Sequence, residues 1–359
     1  MIAALRLEPR LGPPGTAEWL ARLVGGVVLA LLIGVVVLAL AGHDPLTAYG
    51  ALLRGAFGSP RALAATINKA VPIGLCAIGI ALAHRAGLWN IGAEGQLYFG
   101  AFAATGIALG LPAAAPAFVA LPLVLGGGLL AGGAWAALAA LPRAYLGMNE
   151  ILSTLMLNYV AILWVNYLVT GPWADPMTFS FPYSERLPDA ARLGRLAGGV
   201  HGGIVLLAVA GGILAAVDRG LRWGYHLRVS GDAPRAARYA GIAPIAPIVT
   251  GLMAAGALAG LAGALEVSAS TGRLQAGLSP GYGFMAILVA WLGGGRPLAI
   301  GIIALFYAGL LNGGFSLQVS GIPPAIGTIL QAMLLLGVLV MVGLGCYRIR
   351  LVRTQGARA

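Results

Sequence analysis

The chain has 359 residues, 59% hydrophobic and 9% charged, with a formal net charge of +11. Soluble domains carry about 25% charged residues, so this chain has too few polar side chains to cover a water-facing surface. Its 56 glycines follow no Gly-X-Y repeat and its apolar content is high, which excludes collagen and a disordered polar chain and leaves an all-α polytopic membrane protein.

A helix crossing a hydrocarbon core of about 30 Å needs roughly 20 apolar residues. In chain order, spans are expected at 23–42, at 62–83 (interrupted only by Lys69), and twice within 95–142, where Pro112 and Pro116 break the run. Further spans are expected at 151–174, 202–217, 239–265 and 274–295, and twice within 297–347, broken at Pro323-Pro324. That makes about ten spans. The run 202–217 is short, and the stretch 268–297 is rich in Gly and Pro, so boundaries are least defined there. Ala39-Leu40-Ala41 resembles a signal-cleavage site, but the apolar run before it exceeds the 7–15 residues of a signal core and is expected to remain as the first span.

Basic residues concentrate on the cytoplasmic side of membrane proteins. The tail 1–22 carries Arg6, Arg10 and Arg22, and the tail 348–359 carries Arg348, Arg350, Arg353 and Arg358. Both tails are therefore expected inside, which an even number of spans satisfies, and residues 23–347 form the transmembrane domain between them. The segment 218–246, with Arg219, Arg222, Arg228, Arg235 and Arg238, belongs on the same side, as do Arg85, Arg143 and Arg296. Segment 171–200, with Arg186, Arg192 and Arg195, is the expected external loop. The positive charge thus follows topology and implies no nucleic-acid partner.

Motifs for enzymatic or metal chemistry are missing. The only lysine, Lys69, is followed by Ala70, so no phosphate-binding Gly-x-x-x-x-Gly-Lys-Ser/Thr loop exists. Histidines 43, 84, 201 and 226 lack metal-ligand spacing, and Cys76 and Cys346 imply no disulfide framework. Gly126-Gly127-Gly128 and Gly293-Gly294-Gly295 lie in apolar context, where close helix packing or a bend is expected rather than a nucleotide cradle.

Polar groups inside a membrane are costly and usually face a bundle interior or a cavity. Arg85 is followed by Asn90, Glu94 and Gln96, interleaved with Gly87, Gly92 and Gly95. Glu94 can neutralise Arg85, cap a helix or bind solute. Asn149 and Glu150 open the fifth span, with Glu150 complementing the helix dipole and Asn158 two turns deeper on roughly the same face. Asn68 and Lys69 lie near the outer end of the second span, and Glu266, Ser268, Ser270 and Thr271 near the outer end of the seventh. Each of these groups either lines a pathway or makes a structural contact. Tyr159, Trp164 and Phe284 can stack on a base or simply pack.

In the segment 218–246, Asp232 is expected as an N-cap, Pro234 in the first turn, Ala233–Ala240 as a short helix and Gly241 at its end. Such a helix between two spans is a docking element or an ordinary basic loop.

Four stretches together resemble one family: Gly87-Leu-Trp-Asn-Ile-Gly-Ala-Glu-Gly-Gln96, Asn149-Glu-Ile-Leu-Ser-Thr-Leu-Met-Leu-Asn-Tyr159, Gly231-Asp-Ala-Pro-Arg-Ala-Ala-Arg-Tyr-Ala-Gly241 and Gly281–Gly293. They are similar to permease subunits of ATP-binding-cassette importers serving simple sugars, nucleosides and branched-chain amino acids, with wording nearest the nucleoside branch. The likeness runs from about residue 60 to the end, and Trp89 and Trp291 are mild departures. It implies a multi-pass protein of the bacterial cytoplasmic membrane that imports nucleosides or simple sugars by alternating access. It also implies a second permease subunit (identical or homologous), a cytoplasmic ATPase carrying ATP and Mg, and a periplasmic or lipid-anchored solute-binding protein. Gly231, Asp232, Ala233, Pro234, Arg235, Ala236, Ala237, Arg238, Tyr239, Ala240 and Gly241 correspond to the region that couples to the ATPase. The residues alone also allow an ion-coupled secondary transporter using Glu94 or Glu266, with half-helices broken by Gly or Pro, or a non-transporting membrane scaffold.

Overall fold

The computed structural model describes residues 3–9, 16–112, 115–178, 181–344 and 347–353. In chain order these form strand β1 (Ala3–Pro9) and helices α1 (Thr16–Leu40), α2 (Pro45–Phe57), α3 (Pro60–Arg85), α4 (Ala93–Gly110) and α5 (Ala117–Leu146). There follow α6 (Glu150–Thr170), α7 (Gly203–Arg219), α8 (Arg222–Asp232), α9 (Pro234–Tyr239) and α10 (Ile245–Leu265). The chain continues through α11 (Tyr282–Leu292), α12 (Pro297–Val319), α13 (Pro324–Leu344) and strand β2 (Tyr347–Arg353).

Every expected span coincides with a helix, but the helices differ in length. Six are long and apolar enough to cross a membrane: α3, α5, α6, α10 with its extension to Thr271, α12 and α13. A seventh is obtained if α7 and α8, bent by 69° at Gly220-Leu221, are one broken span. The apolar part of α1 (24–40) and all of α11 are shorter, and α4 begins on the polar pair Glu94 and Gln96.

The chain divides into two compact units, residues 1–58 with 309–359, and residues 59–308. In the first unit α1 packs on α13. Gly26 makes this possible, since a Cβ there would come within 2.6 Å of the Val338 Cα. Leu38, Leu52, Leu310, Leu317, Leu330 and Leu334 form its core. Asp44 caps α2, which the hydropathy pattern had not marked, by accepting from the Thr47 N–H at 2.9 Å. β1 and β2 pair antiparallel, from Ala3 opposite Arg353 to Pro9 opposite Tyr347, so the two tails form a ribbon in an otherwise helical chain. Arg10, Arg358 and Cys346 lie outside the described residues.

The second unit is built around α10, against which α3, α4 and α5 pack. In lipid, apolar burial gives little drive for helix association, so close van der Waals approach must supply it. Glycines provide that approach: a Cβ on Gly132 (α5) would sit 2.6 Å from the Gly260 Cα, and one on Gly79 (α3) 2.7 Å from the Ala255 carbonyl. Gly128 packs on α10 in the same way and Gly127 on Ile107 of α4, while Gly126 meets nothing, so the expected packing role of that triplet falls on its last two members. Cys76 is buried and free.

This unit has two chemically distinct ends. At one end the C-termini of α3 and α7 meet α8 and the 293–296 turn. At the other, the starts of the same two helices meet segment 182–201 and residues 268–276.

Candidate functional site

At the first end, α3 finishes on Arg85, whose guanidinium forms a two-point pair with Asp218 of α7 (Nε to Oδ1 2.5 Å, Nη2 to Oδ2 2.6 Å). It also donates to the Ala81 and Gly295 carbonyls at 2.7 and 2.9 Å. Arg228 of α8 lies 3.6 Å from the same Asp218 carboxylate and donates to the Val217 carbonyl at 3.1 Å. Bidentate pairing of this kind fixes orientation as well as distance. Arg85 therefore ties α3, α7 and the turn after α11 together, and Asp218 ties in α8. Gly295, at φ +70°, shapes that turn. Of the three roles open to Glu94, the pair with Arg85 is not formed and the helix cap is, at Gly283.

The helix expected at Ala233–Ala240 is present but built differently. Asp232 is not its N-cap; it is the last residue of α8, and Ala233 caps α9 without a side-chain bond. The cause is Pro234, which drives Ala233 to φ −142°, ψ 71°, ends α8 and starts α9. Gly241, at φ +76°, ends the element as expected. Gly231 abuts the α3–α4 turn: a Cβ on it would come 2.7 Å from the Gly87 nitrogen. Gly87 itself has φ +71°. Beyond this contact α9 stands free, since Ala237 is its one buried residue, Arg235 and Arg238 are exposed, and Tyr239 is 95% exposed.

Next to this joint, three of the expected polar residues form a closed cluster. Asn90 and Gln96 exchange amide hydrogen bonds (2.9 and 3.1 Å), and Asn90 also accepts from the Gly92 N–H at 3.0 Å. Asn158 of α6, fully buried, accepts from the Gly95 N–H and donates to the Ile91 carbonyl, both at 2.8 Å. Since α4 has no cap of its own, Asn158 caps it from another helix. A Cβ on Gly95 would lie 2.7 Å from the Asn158 Cα, which is why glycine stands there.

Glu94 serves a third helix. Its carboxylate accepts from the Gly283 N–H at 2.6 Å, in the first turn of α11. Ser279 accepts from Gly281 and Tyr282 at the same end. The N-termini of α4 and α11 thus meet at one buried carboxylate. Glu150 pairs with Arg143 at 3.2 Å and accepts weakly from the Trp89 N–H, and Asn149 caps α6 through the Ile151 N–H at 2.9 Å. Glu150 therefore joins α6 to α5 and Asn158 joins α6 to α4, while Asn90, Gln96 and Asn149 make local contacts at the starts of α4 and α6.

At the opposite end, Asn68 donates to the Gly199 carbonyl and accepts from the His201 N–H at 3.0 Å, fastening α3 to the start of α7. His201 is buried, and its Nδ1 accepts from the Gly203 N–H at 3.1 Å; burial, then the nearby Arg195 charge, hold its pKa below the usual histidine value. α10 continues into a π turn over Glu266–Thr271, where Ser270 donates to the Glu266 carboxylate and Lys69 lies within electrostatic reach. Among the described residues the buried Ser268 hydroxyl has no hydrogen-bond partner. Segment 171–200 is docked rather than loose. Ser184 exchanges main-chain and side-chain bonds with Leu274, Leu187 and Leu193 donate to the Gly272 and Ser268 carbonyls, and Arg273 lies over the Tyr183 ring. Among the described residues no cluster of three or more His, Cys, Asp or Glu could hold a metal ion.

Residues 62–339 match the family described as branched-chain amino acid transport system permease component. The chain belongs to that family of ATP-binding-cassette permeases. It is 38% identical to a glucose ABC transporter permease of Haloferax volcanii over 351 residues, covering 94% of this chain and 91% of the relative. It is 32% identical to a guanosine ABC transporter permease of Bacillus subtilis (86% of this chain, 90% of the relative). Identity to a nucleoside ABC transporter permease of Lactococcus lactis is 28% (86% and 87%). No solved structure matches. Sequence reasoning missed Asp218, whose signal was a lone acid at the end of an apolar span within a basic loop.

Proposed function

We propose that this ABC permease is the solute-pathway subunit of an ATP-driven importer for sugars or nucleosides. In this reading all ten helices at the expected positions are spans, with the Arg85–Asp218 end cytoplasmic and segment 171–200 outside. ATP and Mg are held by a partner ATPase, a second permease subunit completes the pathway, and an external binding protein delivers the solute.

The observation that carries this reading is α9. This six-residue helix has one buried residue and an otherwise exposed face, and Gly231 and Arg85–Asp218 seat its base on the helical bundle. That arrangement supports an element which receives force from a partner at its exposed face and passes it inward. ATP binding can drive such a cycle only by favouring one permease conformation over the other. Sugars and nucleosides are favoured as solutes by the glucose, guanosine and nucleoside permeases among the relatives.

The test is reconstituted uptake with the partner ATPase and binding protein. Charge reversal at Arg235 and Arg238 together is expected to abolish ATP-dependent uptake and ATPase association while the permease still inserts and purifies. Uptake driven by an ion gradient with no ATPase present would overturn the assignment.

A further inference from the structure

A cavity of about 330 Å³ opens beside the joint just described, between the end of α3, the second half of α8 and the end of α11. Small-molecule sites begin near this size and combine apolar walls with a few placed polar groups. Two tryptophans flank the cavity, Trp89 at 42% and Trp291 at 43% exposure, with His84 edge-on to Trp89 at 5.3 Å between ring centroids. A half-exposed indole offers a flat face to a ring, either a nucleobase or the apolar face of a sugar.

The charged lining balances. Arg85 and Arg228 contribute two positive charges, Asp218 and Asp232 two negative ones. Arg85 and Asp218 largely satisfy each other. Arg228 has donors to spare beyond its single contacts with Asp218 and Val217, and Asp232 is exposed, so both present hydrogen-bonding capacity without net field. Such a wall disfavours a phosphorylated or otherwise ionic ligand and suits a neutral ring bearing hydroxyl or N–H groups. Asp232 also belongs to the segment that seats α9, so an occupant touches the joint directly.

We propose that this cavity is a binding site for the transported solute class, a neutral sugar or nucleoside, on the side where solute is released, and that its occupancy slows further transport. The sidedness and solute class rest on the function proposed above; the existence of the site does not. An occupant wedged between α11 and the α8 segment favours the arrangement that holds the cavity open, and any ligand with such a preference shifts the transport equilibrium against the others.

The test uses the full chain in nanodiscs, without ATPase or binding protein, titrated with D-glucose and with guanosine by calorimetry and saturation-transfer NMR. Saturable binding of either probe is expected, weakened at least tenfold by Trp291→Ala and by Trp89→Ala and unchanged by Met177→Ala on the opposite end. Should a tryptophan variant fail to fold, Arg228→Gln supplies the same comparison. In the reconstituted importer, solute preloaded on the release side is expected to slow uptake in the parent protein and not in Trp291→Ala. Absence of saturable binding, or binding indifferent to both tryptophans, overturns the site. If binding fails while the assembled complex still imports, the site falls and the permease function stands; if binding holds and import fails, the reverse is true.

Discussion

Asn158 shows how much a single side chain carries here. It satisfies the buried Gly95 N–H in the first turn of α4 and the half-buried Ile91 carbonyl just before that helix. Leaving a buried polar group unpaired costs about 1–3 kcal/mol, so Asn158→Leu is expected to destabilise the protein by about 2–5 kcal/mol, read as a lowered thermal midpoint in detergent. Asn158→Asp, which keeps the acceptor and loses the donor, should fall between. His201 gives a pH dependence. Its folded pKa is depressed and its Nδ1 must stay unprotonated to accept from Gly203. The stability it contributes is therefore present above the ordinary histidine value of about 6.5 and is lost as pH falls through the lowered folded pKa. Hydrogen exchange of 182–203 should rise on acidification through that window, and His201→Gln should flatten the profile.

At the scale of elements, the break between α8 and α9 sets the direction in which α9 projects. Pro234→Ala removes the steric reason for that break and lets helix run from 222 towards 239, swinging the exposed arginines away. Uptake is expected to fall at least tenfold while purified yield and thermal midpoint stay near the parent values. The elements also show what was readable in advance. The Asn149-Glu150 start of α6, the Gly241 stop and the small-residue contacts of α5 obey local rules, and local sequence carries them. The partnership of Arg85 with Asp218 and the capping of α4 by Asn158 join positions 133 and 63 residues apart, and no periodicity encodes such pairings. Asp232 was misread because two local rules compete there. An acid before a helix favours capping, but proline restricts the residue before it and moved the boundary one place on. Pairing with Arg85 was one of three roles open to Glu94, since both are charges in apolar sequence; the fold sends them to different helix ends, and Glu94 takes the capping role.

For the whole molecule, the two ends of the 59–308 unit carry the topology. Arg85, Arg143 and Arg228 lie at one end and Arg192 and Arg273 at the other, and the proposed orientation puts the first end inside. With Cys346 replaced by serine, cysteines introduced by Arg238→Cys and Arg186→Cys are expected to react with an impermeant maleimide from opposite faces, the second in intact cells and the first only after permeabilisation. Buried Cys76 should remain silent in both. Labelling of both positions from one face would overturn the orientation. The junction of α4 and α11 has an electrical consequence as well. Each helix N-terminus carries roughly half a positive elementary charge, so the pair that meets at Glu94 sums to about one, which the single carboxylate cancels without a basic side chain. Glu94→Gln removes that balancing charge and leaves the two helix ends facing each other with their positive poles uncompensated.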